Sequence, residues 1–186
     1  MMNNILESNI DISMIRANLD DLPDYSLPDG FVLQPYQPGD RTNWVKVQTL
    51  SDEYNPISEA LFLAQFGEEE DVLARRQFFL CTRQGEPIGS ASAWFGNPPY
   101  KKEWGRVHWV AIVPKFQGQK LAKPLLSAVC NRLKALGHET TYMTTSTGRI
   151  PAINLYLGFG FRPEIKSPRD QEIWTALKSR LKWPKP

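Results

Sequence analysis

The stretch from Val107 to Leu126, VHWVAIVPKFQGQKLAKPLL, constrains this chain more than any other. Its β-branched apolar start, VHWVAIV, predicts a buried strand over 106–113. Pro114 ends it, because proline has no N–H to give a ladder. A polar turn at Lys115–Lys120 follows. From Leu121 the residues Leu125, Leu126, Val129, Leu133 and Leu136 recur at helical spacing until Gly137 stops the helix. Pro124 falls in the first turn, where no N–H partner is needed. A strand feeding a basic, glycine-containing turn and then a helix N-terminus offers unpaired N–H groups and the positive end of a dipole, which suits a phosphate. An ordinary strand–turn–helix connection has the same local signature, so this stretch alone leaves both readings open.

The flanking chain supplies partners for that unit. Residues 1–30 are polar and end in Pro23, Pro28 and Gly30, which predicts a partly ordered arm with a helical turn over Met14–Leu19. Phe31–Tyr36 reads as a strand, placed at an edge by Pro35. Two helices follow, one after Asp40 with Trp44, Val45, Val47 and Leu50 on its stripe, the other from Ser58 to Phe66 before Gly67. GEEED at 67–71 is a solvated turn or a helix start. Phe78–Arg83 and Ile88–Phe95 make a hairpin about Gln84-Gly85-Glu86-Pro87. After the central strand and helix come a strand at Thr140–Thr145, a short helix at Pro151–Leu157, a strand reaching Ile165, and a C-terminal helix over about 168–182. The order predicts a single α/β (α+β) domain over 31–186, with an antiparallel half and a later βαβ unit.

Composition narrows the function classes. A length of 186 residues suits one core. A net charge of +2 is too small to draw in nucleic acid or a membrane surface, and no apolar run reaches the ~18 residues of a membrane span. The start MMNNILESNIDIS is not a signal peptide, so a cytoplasmic location is expected. Cys81 and Cys130 lack metal-ligand spacing and sit among apolar residues, as reduced core thiols do. The sequence offers no ligand cluster for a metal.

Two motifs then carry a resemblance. Gln117, Gly118, Gln119, Lys120, Leu121 and Ala122 after a strand ending in proline, with Ala152, Leu155, Tyr156, Gly160 and Phe161 farther on, resemble the GNAT superfamily of N-acetyltransferases. The ordered elements from Phe31 to about Ile165 fit. The resemblance implies a mixed, mostly antiparallel central sheet flanked by helices and a βαβ unit that binds coenzyme A. It also implies acetyl-CoA as co-substrate with no metal, a small-molecule or peptide amine as acceptor attacking the thioester directly, and a possible homodimer. Two positions depart from the family pattern: Lys120 stands where the family has its middle glycine, and Arg149 where it often has asparagine. The tail ends in a helix where many relatives add a strand.

The resemblance also assigns roles. Gln117, Gly118, Gln119, Lys120, Leu121, Ala122 and Lys123 would cradle the pyrophosphate. Val110, Ala111 and Ile112 would offer strand N–H and C=O groups to the pantetheine arm and polarise the thioester carbonyl. Tyr156 would protonate the leaving thiolate, or be an amphipathic tyrosine packed at a helix end. Asn154 would bond the cofactor, or cap, or face solvent. His108 shares a strand face with Val110 and Ile112. It is either the base that deprotonates the amine, a histidine occupying the corresponding place on this strand in the arylalkylamine N-acetyltransferases, or a satisfied core histidine or one that orders water. Glu53, between the first two helices, is the alternative base, an ammonium anchor, or a solvated carboxylate. Trp94, Trp104, Trp109, Phe95 and Tyr100 either line an acceptor pocket or form core, with Trp109 expected to point opposite to His108. His138 reads as a helix C-terminal cation or cap. Two other readings stand beside the enzyme: a non-catalytic CoA-binding regulatory or interaction module, and a general nucleotide binder.

Overall fold

The computed structural model describes Ile5 and residues 8–183; the remaining positions, including most of the first seven residues, lie outside the described part. Apolar alternation and helical periodicity become β1 (Asp11–Arg16), β2 (Phe31–Pro35), α1 (Arg41–Ser51), α2 (Glu59–Phe66), α3 (Glu70–Arg76), β3 (Gln77–Thr82) and β4 (Pro87–Phe95). Then follow β5 (Gly105–Ile112), α4 (Ala122–Ala135), β6 (Thr141–Ser146), α5 (Ile150–Gly158), β7 (Arg162–Pro163) and α6 (Pro168–Leu177). The described strands form one seven-stranded sheet in the order β2-β3-β4-β5-β6-β1-β7. Its neighbours are antiparallel except β5 and β6, which the α4 crossover makes parallel. The result is a mixed α/β fold with helices on both faces.

One expected element changes type. Met14 lies on a strand, not a helix, and β1 pairs antiparallel with both β6 and β7. The alternation Ile10-Asp11-Ile12-Ser13-Met14 has the two-residue period of a half-buried strand, and Ile12 and Met14 turn inward at 5% and 0% exposure. α6 ends at Leu177, short of the expected 182. The chain turns there, with Arg180 N–H bonded to Leu177 O, and Lys182 N–H is taken by Asn154 Oδ1 at 2.7 Å.

Two cores flank the sheet. On one side α4 packs Leu125, Leu126, Val129 and Leu133 against β4 and β5, joined by Met14, Ile153 and Trp174. On the other, Trp44 of α1 and Phe62 and Phe66 of α2 form an aromatic cluster with Trp109, with ring centroids 5.2 to 5.7 Å from Trp44. Ser58 caps α2 by accepting from Leu61 N–H. Asp40 precedes α1 but accepts from Gln37 N–H and the Asn43 side-chain Nδ2 instead of from a backbone N–H of the helix. His138 is buried, and its backbone N–H closes the end of α4 by donating to Leu133 O at 3.1 Å. Arg76 Nη1, which can only donate, lies 3.3 Å from Nε2, so Nδ1 donates to Glu103 O at 2.7 Å. Both cysteines are buried free thiols, and desolvation pushes Cys81 up to about 11 and Cys130 up to about 12.

Candidate functional site

The site begins where β5 loses a partner. Its parallel pairing with β6 is confined to Gly105↔Thr141 and Arg106↔Tyr142, so among the described residues Val107–Ile112 continue with no strand on that side. On the other side the register with β4 slips between Ser90 and Ser92, and Trp109 takes a positive φ of 49°. This is a β-bulge, and it re-aims the residues around it. Gln48, buried in α1, fixes the bulge: its Nε2 donates to Trp109 O at 3.0 Å and to Ser90 Oγ at 3.1 Å.

The bulge overturns strict alternation along β5. His108 and Trp109 both reach Gln65 Oε1 on α2, at 3.0 Å from His108 Nε2 and 3.2 Å from Trp109 Nε1. They therefore lie on one side, where alternation had put them on opposite faces. An indole N–H only donates, so that oxygen accepts from both, and His108 holds its proton on Nε2. Nδ1 is left as its basic atom. Burial, reinforced by the charge of Arg106, holds the imidazole well below the usual histidine value. His108 is therefore neutral near pH 7.

Past β5 the chain makes a 3₁₀ turn at Pro114–Phe116 and enters the phosphate-type loop. Gln117 Nε2 reaches back to Ile112 O at 2.9 Å and closes the turn. Gly118 and Lys120 both have left-handed backbones, at φ of 77° and 62°. Lys120 thus adopts the conformation for which glycine is ordinarily used. Ala122 and Lys123 open α4 with N–H groups that have no intrahelical acceptor.

A groove of about 1010 Å³ runs over this loop, along Val110–Ile112, to Tyr156, Asp52 and Glu53. Gln117, Gly118, Lys120, Leu121, Ala122 and Lys123 line it; Gln119 does not. Asn154 also lies off the groove, with its Oδ1 engaged by Lys182 N–H. Tyr156 is 7% exposed, and burial pushes its phenol up to about 12, so it stays protonated. Glu53 is exposed at the rim and bonded to the Tyr54 hydroxyl.

A second, polar cavity of about 360 Å³ lies beyond, lined among others by His108, Gln65, Arg106, Asn9, Asp11 and Thr144. The two cavities share Gln48, Asp52, Tyr54, Val110, Arg149, Ala152 and Tyr156 as common wall. Of the aromatics expected at an acceptor pocket, Trp109 lines this cavity, whereas Trp94 packs on Phe66 and Tyr100 stacks on Tyr142 at 3.7 Å.

Several wall residues carry no local sequence signal. Asp52 has a side chain only 4% exposed and takes Arg149 Nη2 at 2.9 Å. Burial alone would raise its carboxyl, but donors from Tyr54 N–H, Asn55 and Arg149 outweigh burial and hold it below the usual aspartate value. Arg149 also lies over the Tyr54 ring, 5.0 Å from its centroid. The arm supplies Tyr25, Leu27 and Pro28 to the groove, tied down by buried Ser127, which accepts from Tyr25 N–H at 3.1 Å and donates to Pro23 O at 2.9 Å.

Comparison with known proteins places this architecture. The model of the acetyltransferase (GNAT) family matches residues 44–161, which is well over half of the chain. The chain belongs to the GNAT acetyltransferase family. This GNAT chain is 30% identical over 146 residues to a mycothiol acetyltransferase of Pseudarthrobacter chlorophenolicus, covering 76% of the chain and 45% of the relative. A mycothiol acetyltransferase of Streptomyces griseus is 26% identical over 144 residues, 76% of the chain and 46% of the relative. The GNAT chain thus spans about half the length of these curated relatives. Its fold matches a GCN5-related N-acetyltransferase from Sphaerobacter thermophilus with a TM-score of 0.69 at 18% identity, over 84% of the chain and 49% of that protein. It also matches the ribosomal-protein-S18-alanine N-acetyltransferase of Escherichia coli with a TM-score of 0.59 at 21% identity, over 73% and 79%.

Proposed function

We propose that this GNAT protein transfers the acetyl group of acetyl-CoA to a small primary amine by direct attack. The observation that carries the reading is the junction of the two cavities at Tyr156. One cavity passes over a phosphate-type loop and an unpaired strand edge; the other is polar and holds a histidine with a free basic nitrogen. The groove residues fit coenzyme A. Ala122 and Lys123 present helix N-terminal N–H groups, Lys120 and Lys123 add positive charge, and the edge of Val110–Ile112 away from β4, where only Ile112 O is taken by Gln117 Nε2, offers backbone donors and acceptors to an amide-bearing arm. When bound, acetyl-CoA supplies the acyl group and its thioester.

In the proposed reaction the acceptor ammonium loses its proton to His108 Nδ1, directly or through water, and the free amine attacks the thioester carbonyl. Edge N–H groups of β5 stabilise the negative charge that develops on the carbonyl oxygen. As the C–S bond breaks, Tyr156 gives its phenolic proton to the thiolate. Asp52 supports this arrangement by fixing Arg149 across the shared wall. Glu53, exposed at the rim, serves the approach of a cationic amine.

The test is release of coenzyme A thiol from acetyl-CoA across a panel of primary amines. Tyr156→Phe and His108→Ala are each expected to lower kcat at least ~100-fold, in the range of one general acid or base, with binding of coenzyme A retained. Release that no amine stimulates, alongside intact binding of coenzyme A, would overturn the reading in favour of a binding module.

A further inference from the structure

We infer that Arg106 determines acceptor specificity by pairing with a carboxylate on the acceptor, so that the substrate is amino-acid-like and not a simple amine; this rests on the acetyl-transfer reading above. Arg106 stands on β5 and lines the polar cavity. Among the described residues no carboxylate pairs with it. The ion pairs there are Lys134–Asp20, Arg149–Asp52, Lys166–Glu164 and Arg169–Glu172. Its hydrogen bonds are long: Nη1 donates to Asn97 Oδ1 at 3.3 Å and Nη2 to Thr144 Oγ1 at 3.4 Å. Its Nε is buried and has no acceptor among the described residues. Desolvation accordingly lowers the guanidinium below its ordinary value.

The neighbouring arginines make the contrast. Arg149, in the same cavity, has the Asp52 carboxylate at 2.9 Å. Arg76, buried elsewhere, donates to Ala93 O at 2.9 Å and lies 3.6 Å over the Phe95 ring. A guanidinium drawn out of water is ordinarily given a charged or multiple partner. Arg106 has only two long hydrogen bonds to neutral acceptors and the Tyr142 ring 5.9 Å from its guanidinium, and among the described residues it has no charged partner where the wall opens to a ligand-sized space. Asp11, the other acid in the cavity not already paired, is exposed and makes no ion pair with Arg106 among the described residues.

The position suits one small molecule bearing both groups. Arg106 precedes His108 by two residues on the same strand, about 7 Å along its axis and on the same face. An acceptor with its carboxylate on the fork of Arg106 therefore sets its amine beside His108 Nδ1, next to the acyl groove. The planar fork matches a carboxylate in two parallel hydrogen bonds. Because the charge of Arg106 also depresses His108, a bound carboxylate offsets that charge and makes the imidazole a stronger base only when such an acceptor is in place.

The experiment compares amino acids with their α-carboxamides, and O-phosphoethanolamine with ethanolamine, in CoA-thiol release by the full chain. Acids are expected to have at least ~10-fold lower KM than their amides. Arg106→Met should erase that preference by raising KM for the acids to that of their amides while KM for acetyl-CoA stays unchanged; Arg106→Lys should restore part of it. Unchanged KM for acetyl-CoA shows that the variant has folded. Amides used as well as acids, an equal loss on both in Arg106→Met, or phosphoethanolamine preferred to every amino acid would each overturn the inference. Calorimetric binding of the same pairs to the CoA-saturated protein separates this inference from the acetyl-transfer reading. Acids bound tightly without turnover count against transfer alone, whereas acids bound no better than amides, or not at all, count against Arg106.

Discussion

Replacing Lys120 by glycine separates what the loop's backbone needs from what its charge supplies. Lys120 holds φ at 62°, in the left-handed region. A residue with a Cβ is disfavoured there by about 1–2 kcal/mol. Glycine removes that penalty but adds freedom to the unfolded chain, worth roughly 0.5–1 kcal/mol in the opposite direction. The net expectation is a stabilisation of about 0.5–1 kcal/mol, which is roughly a 1–4 °C rise in Tm for a chain of this size. The same change removes an ammonium from the groove wall. Weakening of a solvent-exposed charge contact of about 0.5–1 kcal/mol predicts a two- to fivefold rise in KM for acetyl-CoA with little change in kcat. Lys120→Ala is the control, because it loses the charge and keeps the Cβ: its KM should rise equally and its Tm should not. Differential scanning fluorimetry and steady-state kinetics read both quantities. A Lys120→Gly variant less stable than the parent, or an alanine variant that gains as much stability, would refute the strain argument. An unchanged KM in both would remove Lys120 from coenzyme A binding.

Other predictions follow from the same geometry. Trp44, fully buried against three aromatic rings, should cost about 3–5 kcal/mol as Trp44→Ala in urea denaturation. His108 is held neutral when folded but takes a proton in the unfolded chain below the ordinary histidine value of 6.5, so its contribution to stability is full above that pH and declines as pH falls. The slope approaches about 1.4 kcal/mol per pH unit, and comparison of denaturation midpoints for parent and His108→Gln between pH 7 and 5 should show it vanish in the variant. Asp52 has a lowered carboxyl, so its stabilisation is complete above the ordinary aspartate value of 3.8 and is lost as pH falls through the lower folded value. Asp52→Asn should therefore flatten the acid limb of stability and, by releasing Arg149, raise KM for both substrates. Gln48→Leu should loosen the Trp109 bulge and lower kcat severalfold while the aromatic core keeps the protein folded, as measured by turnover and near-ultraviolet circular dichroism.

What could be read along the chain was local or periodic. VHWVAIVP fixed a strand and its end, Gln117–Ala122 the loop, and Leu125–Leu133 the buried face of α4, because strand and helix periods and proline stops act within a few residues. Ala152, Leu155, Tyr156, Gly160 and Phe161 added the family, which the match over 44–161 shows independently. The structure sets Gln117, Gly118, Lys120 and Tyr156 along one groove and leaves Gln119 and Asn154 outside it, since a motif gives spacing but not which way each side chain turns.

Tertiary structure decided the rest. Whether the chain at Met14, where a helical turn over Met14–Leu19 was expected, is helix or strand depended on an open edge of β6, about 130 residues away, whose ladder groups Asp11–Arg16 satisfy. The side on which Trp109 stands depended on a bulge held by Gln48, and the proton on His108 depended on Gln65 accepting from two donors at once. Asp52 and Arg149 become one element of the wall only when folding brings together residues 97 apart in sequence. Burial then sets their charge states, and burial is a property of the packed assembly that no short stretch of sequence contains.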